Sequence, residues 1–327
     1  MINWEIKKIF KSKNGIIALI LFLIISMSMV FIKPNQIIQD GSENSMSDEE
    51  KFNMKVELLR EQSKNKGEDD ISEELKEMSN EKLAAIKFYE YKDTMFWKVF
   101  NYRAFHPLMS SIMLIIIIII FSNIYTDEIV SNVDSLILSS ENKNKVLYSK
   151  LALSIGIPVF LYTVYLAIQF IITIMQYGKP INGVLQAIRI VDNPLLLKDA
   201  YTIYNFVLLK IGIMFVIFIT LGVLASLFSF VSTNSIQSTS GFLIFIFLGK
   251  VMTLIKYLPK EVLLIFSRIN FIDLIFNFNE LVGMYFGRLK LFTMNLDIAN
   301  LCFVIIIAIL FIGIFLCTSI FKKFLTR

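Results

Sequence analysis

Five long runs without a single Lys, Arg, Asp or Glu, at residues 14–32, 104–126, 151–178, 211–249 and 298–321, constrain this chain more than any other feature. A membrane-crossing helix needs about 20 predominantly apolar residues, and four of the runs suit one crossing each. The run at 211–249 is too long for one crossing. It is broken by Ser232, Thr233, Asn234, Ser235, Gln237, Ser238, Thr239 and Ser240, whose hydroxyls and amides favour water or backbone caps. It therefore reads as two helices around a tight polar turn, which gives six crossings. The expected fold is an all-α polytopic membrane protein with spans at 14–32, 104–125, 151–176, 204–231, 241–257 and 298–320. A composition of 56% hydrophobic and 18% charged residues agrees with a solvent that is partly lipid.

The N-terminus has the basic-then-apolar order of a signal peptide. It lacks an A-x-A-like exit and is long enough to span, so it reads as a retained first helix. Short basic flanks set orientation. Lys7, Lys8, Lys11 and Lys13 precede the first span, Lys143, Lys145 and Lys150 lie between the second and third, and Lys322, Lys323 and Arg327 follow the sixth. Six crossings put all three sets on one side, which the positive-inside rule makes the cytoplasm, with both termini there and the protein multi-pass in the cell membrane. Lys256, Lys260, Arg268, Arg288 and Lys290 run against this, because the same topology places them outside.

The segment 33–103 is then an extracellular insertion, and its pattern is helical. Ser47 and Glu50 form a capping box ahead of Phe52, Val56 and Leu59, and Asp70 with Glu73 makes a similar start before Leu75 and Met78. Two helices joined at 65–69 are expected. The aromatic group Phe88, Tyr89, Tyr91, Phe96, Trp97, Phe100 and Tyr102 suits the outer interface or a partner. Between the fifth and sixth spans, 258–297 is a further external segment.

Several classes of function are disfavoured. The net charge is +5 with no long basic block, so nucleic acid is not an expected partner. Cys302 and Cys317 are roughly 22 Å apart along one helix and cannot pair with each other. The lone His106, beside Pro107, has no Ser, Cys or carboxylate at a spacing that would build a catalytic pair, and reads as a cap or interfacial ring rather than part of an enzyme. No G-x-x-x-x-G-K-[ST] loop is present, so any ATP that drives this chain, with its Mg, binds to another subunit.

Candidate functional residues fall in three places. Ile2, Ile6, Ile9 and Phe10 share one face of an N-terminal helix and Lys7, Lys8 and Lys11 another, which suits a helix lying on the inner leaflet, though Trp4 is off the face. A plain basic flank accounts for the same lysines equally well. After the second span, Thr126 can cap a helix with Asp127 and Glu128 in its first turn, followed by the apolar stripe Ile129, Val130, Val133, Leu136 and Ile137. Such a helix can plug into a groove on a partner or lie on lipid. Charges and polar groups inside the spans are the third set. Lys210 is expected to snorkel outward. Lys250, Gln169 and Pro158 are the candidate transport-path residues: Lys250 either faces a wet cavity or reaches the outer interface from a helix that starts near Ser235, Gln169 also suits a helix-to-helix hydrogen bond, and Pro158 a kink.

The basic amphipathic start, the insertion after the first span, the acidic pair past the second, the apolar stripe, the turn Ser139-Ser140-Glu141-Asn142-Lys143-Asn144-Lys145 and Lys150 together resemble the permease subunits of ABC-2 type transporters. That resemblance covers the whole chain. It implies a coupling helix at 127–138 that docks on an ATPase subunit, with Glu128 at the family's acidic position and Asp127, Ile129, Val133, Leu136 and Ile137 beside it. It also implies short re-entrant helices at 258–297, a second permease chain, identical or not, and export. Apolar, aromatic-rich spans without buried acid point to an amphipathic or hydrophobic cargo, such as an antimicrobial peptide. The competing expectation is a non-transporting receptor or immunity protein that captures a peptide through the insertion.

Overall fold

The structure, a computed structural model, describes residues 2–34, 47–65, 70–86, 90–133, 143–255, 257–291 and 294–325. Its helices are α1 (Ile2–Lys11), α2 (Lys13–Ser28), α3 (Asp48–Lys64), α4 (Asp70–Ala84), α5 (Met95–Ala104), α6 (Pro107–Phe121), α7 (Thr126–Val130), α8 (Lys143–Tyr177), α9 (Ile203–Val231), α10 (Ser235–Met252), α11 (Lys260–Ile269), α12 (Phe271–Phe276), α13 (Phe278–Leu281) and α14 (Ile298–Leu325). Six stretches are long and apolar enough to cross a membrane: Lys13–Phe31, Met95–Val130, Asn144–Tyr177, Ile203–Val231, Ser235–Met252 and Ile298–Phe321. The chain is thus a helical protein built to span a membrane several times.

α9 is the axis of the bundle, packed by α6, α8, α10 and α14. Its contact with α8 follows from one proline. Pro158 has no N–H to give to the Ser154 carbonyl one turn back. α9 answers with Gly222, where a Cβ would come 2.4 Å from Ser154 O and 3.2 Å from Pro158 Cγ. The missing side chain lets the two backbones touch, as small residues do where helices meet in lipid.

Three expectations are corrected. Of the aromatic group, Phe96, Trp97 and Phe100 face the protein and not lipid or a partner: they are buried and pack edge-on against Phe170 and Tyr204, with centroids 5.0–5.5 Å apart, while Phe88 and Tyr89 lie outside the described residues. Rings from three helices meet there because edge-to-face packing rewards mutual burial. The fold is not wholly α-helical, because Arg288–Leu291 and Met294–Asp297 pair as an antiparallel hairpin leading into α14. The polar run 232–240 is mostly helix, since Asn234 accepts from the Gln237 N–H at 2.8 Å and starts α10 at Ser235.

The capping box at Ser47 and Glu50 is present, and Phe52, Val56 and Leu59 face inward from α3. The α3–α4 hairpin is bolted to the connection between α8 and α9. Lys55 donates to the carbonyls of Ile188 and Val191, and Lys82 to those of Pro194 (3.1 Å) and Leu195 (2.8 Å). In return Arg189 lies 3.9 Å over the Phe52 ring. A second knot holds the same end of the bundle. Arg103, fully buried, donates to the carbonyls of Val30 (2.7 Å) and Ile32 (3.1 Å) and to Gln176 Oε1 (2.7 Å), tying α5 to the ends of α2 and α8.

Two outcomes test this packing. Gly222→Ala is expected to cost roughly 1–3 kcal/mol of stability relative to Gly156→Ala, whose Cβ meets nothing within 4 Å. Both changes gain the same helix propensity, so equal melting shifts in detergent would refute the close α8–α9 contact. The second concerns pH. Burial lowers the Lys55 and Lys82 ammonium groups from the ordinary 10.5 to about 8. Between pH 8 and 10.5 the unfolded chain binds more protons than the folded one, so the docked insertion gains stability as pH rises through that window and lacks that gain below pH 8. Hydrogen-exchange protection factors for 187–195 should rise accordingly, and Lys82→Met should flatten the rise.

Candidate functional site at the α1, α7 and α8 junction

The N-terminal helix meets the bundle through its one acid. Glu5 is 2% exposed, with Ile6 and Ile9 half-buried against the core beside it, whereas Ile2, Phe10 and Trp4 are exposed. α1 turns sharply into α2 at Ser12, whose Oγ accepts from the Gly15 N–H at 3.0 Å. The corner closes only because residue 15 is glycine, since a Cβ would lie 1.8 Å from the Ile9 carbonyl oxygen.

Four charges converge behind this corner. The Lys150 ammonium, fully buried at the start of the third span, donates to Glu128 Oε1 at 2.8 Å and to the Ile124 carbonyl at 2.8 Å, and lies 3.6 Å from Glu5 Oε2. Lys8 of α1 reaches the same Glu128 oxygen at 2.9 Å. Glu128 itself is 3% exposed. Two carboxylates and two ammonium groups thus cancel in a site where a single uncompensated charge would be costly. The cluster joins α1, α7 and α8.

α7 is short because a left-handed residue ends it. Asn132 adopts the left-handed conformation (φ 55°), the Asn132 N–H returns to Ile129 O at 3.0 Å and the Val133 N–H to Glu128 O at 2.9 Å. These are the paired bonds that end helices with an αL residue, and Asn tolerates that conformation better than most residues. The uninterrupted helix expected at 127–138 therefore does not form: α7 stops at Val130. Its other side is pinned to the end of α9 and the start of α10. Ser229 Oγ accepts from the N–H groups of Tyr125 (2.9 Å) and Thr126 (3.2 Å), and Ser235 Oγ lies 3.4 Å from Asp127 Oδ1.

The coupling residues expected from sequence thus separate. Glu128 points into the bundle, Ile129 is half-buried against the core, and Asp127, Val130 (63% exposed) and Val133 (38% exposed) face outward. Leu136 and Ile137 lie outside the described residues. Of the transport-path residues, Gln169 is fully buried and gives its amide to the Ser26 carbonyl at 2.9 Å, and Pro158 packs on Gly222. Lys250 is not without an acid: Asp273 of α12 holds it through both carboxylate oxygens at 2.8 Å. Lys210 does not snorkel. It is 1% exposed, bonded to Asn101 Oδ1 (3.0 Å) and Asn279 Oδ1 (2.6 Å), with the rings of Phe105 and Phe206 4.5 and 5.0 Å away.

Glu5 was missed by sequence reasoning, and Lys8 was read either as facing lipid or as part of a plain basic flank. The available signal was a lone acid at i, i+3 from a lysine in an otherwise basic helix, facing the side that carries Ile6 and Ile9.

Removing one member of the cluster should be far worse than removing two of opposite sign. Glu128→Gln or Lys150→Met alone is expected to cost roughly 3–5 kcal/mol, because each strands a buried charge. The double variant should cost clearly less than the sum, as a double-mutant cycle on unfolding in detergent would measure; additivity within about 0.5 kcal/mol would refute the coupling.

No family model, curated protein or solved structure matches this chain, so the functional reading rests on the geometry of this junction.

Proposed function

We propose that the chain is the membrane-spanning permease subunit of an ABC exporter of the ABC-2 type, moving an amphipathic or hydrophobic cargo outward at the expense of ATP hydrolysed by a separate subunit. In this reading both termini and α7 are cytoplasmic, the α3–α4 insertion is extracellular, and α11 to α13 dip into the outer leaflet. A second permease chain completes the pathway, and ATP with Mg binds to the ATPase subunit. The cargo class fits efflux of an antimicrobial peptide.

The observation that carries the proposal is the way α7 is mounted. Val130, Val133 and Asp127 face away from the bundle, while Glu128 on the opposite side is clamped by α1 and α8. A docking element must present an apolar contact to a partner and be rigidly joined to the elements it moves, and this one has both properties. A push on α7 would reach α8 through Glu128 and Lys150, α1 through Glu128 and Lys8, and the end of α9 through Ser229. The second reading, a receptor or immunity protein, is favoured by the folded and firmly docked α3–α4 hairpin, which a minimal permease would not need.

A pull-down of the solubilised chain from its native membrane separates the two. Wild type should bring down a nucleotide-binding subunit, and Val130→Asp/Val133→Asp should reduce its recovery at least tenfold without loss of the permease itself. If wild type captures no ATPase under conditions that keep other membrane complexes intact, the receptor reading replaces the exporter.

A further inference from the structure

The strongest unexplained surface is the outward side of α3. Met54 and Leu58, one turn apart, are 45% and 39% exposed on a helix that does not belong to any candidate membrane span. Glu50, Glu57 and Glu61 share that face at helical spacing and are themselves exposed, with Lys64 at one edge. On α4, Glu73, Glu77 and Glu81 make a second outward ladder at i, i+4, i+8. Like charges at that spacing destabilise a helix, so the ladder is a local conflict without a local reward.

Two of the hairpin's cations are turned away from these acids, while Arg60 and Lys64 of α3 stay exposed beside Glu57 and Glu61. Lys55 and Lys82 point inward onto the carbonyls of 188–195, and none of the six glutamates is in an ion pair among the described residues. Residues 47–86 carry 12 acidic and seven basic groups, a net −5, while the other 25 basic and 15 acidic residues leave the rest of the chain at +10. Folding sharpens this asymmetry by spending two of the seven cations internally.

We propose that this face of α3 captures a cationic amphipathic peptide, whose apolar strip covers Met54 and Leu58 while its Lys or Arg side chains lie along Glu50, Glu57 and Glu61. The proposal deepens the exporter reading by fixing the charge of the cargo, and rests on the insertion being the side that meets it. Other occupants fit worse. Among the described residues no acidic cluster converges to hold a metal ion. Anionic lipid would be repelled. Two apolar side chains fall far short of the roughly 800 Å² per partner of a stable dimer. A cationic helix matches both the i, i+4 apolar pair and the flanking charge.

The test uses the full chain in zwitterionic nanodiscs and a labelled 18-residue helix of leucine and lysine as probe, titrated by fluorescence anisotropy without any ATPase present. Wild type should bind it more tightly than empty discs do. Glu57→Lys/Glu61→Lys should weaken binding at least tenfold, Glu57→Gln/Glu61→Gln and Met54→Ser/Leu58→Ser several-fold, and 0.5 M salt should weaken wild type as strongly as charge reversal does. Binding no tighter than to empty discs, or unchanged in the reversal and serine variants alike, would overturn the proposal. So would loss of a dimer in those variants with peptide binding intact, since the face would then belong to a second copy. Because no partner subunit enters the assay, its failure leaves the ATPase pull-down standing, and a failed pull-down leaves the peptide result standing.

Discussion

Three cations, Arg103, Lys150 and Lys210, are wholly buried in a bundle lined mostly by hydrocarbon, and each determines where the surrounding elements can lie. A buried charge that loses its partners costs several kcal/mol, comparable with the whole stability of many folds. Each of these residues therefore acts as a fixed point with a different kind of partner. Lys150 is neutralised by two carboxylates. Arg103 is solvated by helix-end carbonyls and a glutamine. Lys210 is held by two amide oxygens and two close phenylalanine rings. Cation–π contact substitutes for a carboxylate in the last case, where the site is desolvated. The three points lie at different junctions, so the arrangement of α1, α2, α5, α7, α8, α9 and α13 is set by charge solvation as much as by apolar packing.

This also explains which parts of the structure were legible in the sequence. Apolar run length reveals spans because it is a local property, and the capping box at Ser47 is local too. The partners of a buried charge are not local. Lys210 looked like a snorkelling residue because its companions, Asn101 and Asn279, are more than sixty positions away on either side, and because amide and ring solvation leaves no charge pattern to recognise. Lys250 looked unpaired for the same reason, Asp273 lying in a segment taken to be outside the spans. At the candidate site, Asp127, Glu128 and Lys150 were visible as chemistry, but their directions were not. Glu128 is turned inward by Lys8 and Lys150, both distant in sequence, and α7 is only one and a half turns long because a left-handed Asn132 ends it within a stretch whose periodicity suggested a longer helix.

The two ends of the bundle use charge in opposite ways. At the α1 end, acids and bases from three elements are brought together until they cancel, which ties those elements to one another: α7 cannot shift without either carrying α1 and α8 along or breaking a buried ion pair. At the insertion end, charges of opposite sign are drawn apart. Lys55 of α3 and Lys82 of α4 are consumed by carbonyls of the connection into α9, and Glu50, Glu57, Glu61, Glu73, Glu77 and Glu81 remain outside. The lysine contacts make the hairpin part of the scaffold, because the segment they grip runs directly into the central helix. The hairpin is therefore mechanically joined, through 188–203, to α9, whose last turn meets α7 at Ser229. A continuous run of packed backbone thus links the acidic face to α7 at the far end of the chain's central helix. That link is what a protein would require if cargo at one end were to be matched to an energy source at the other.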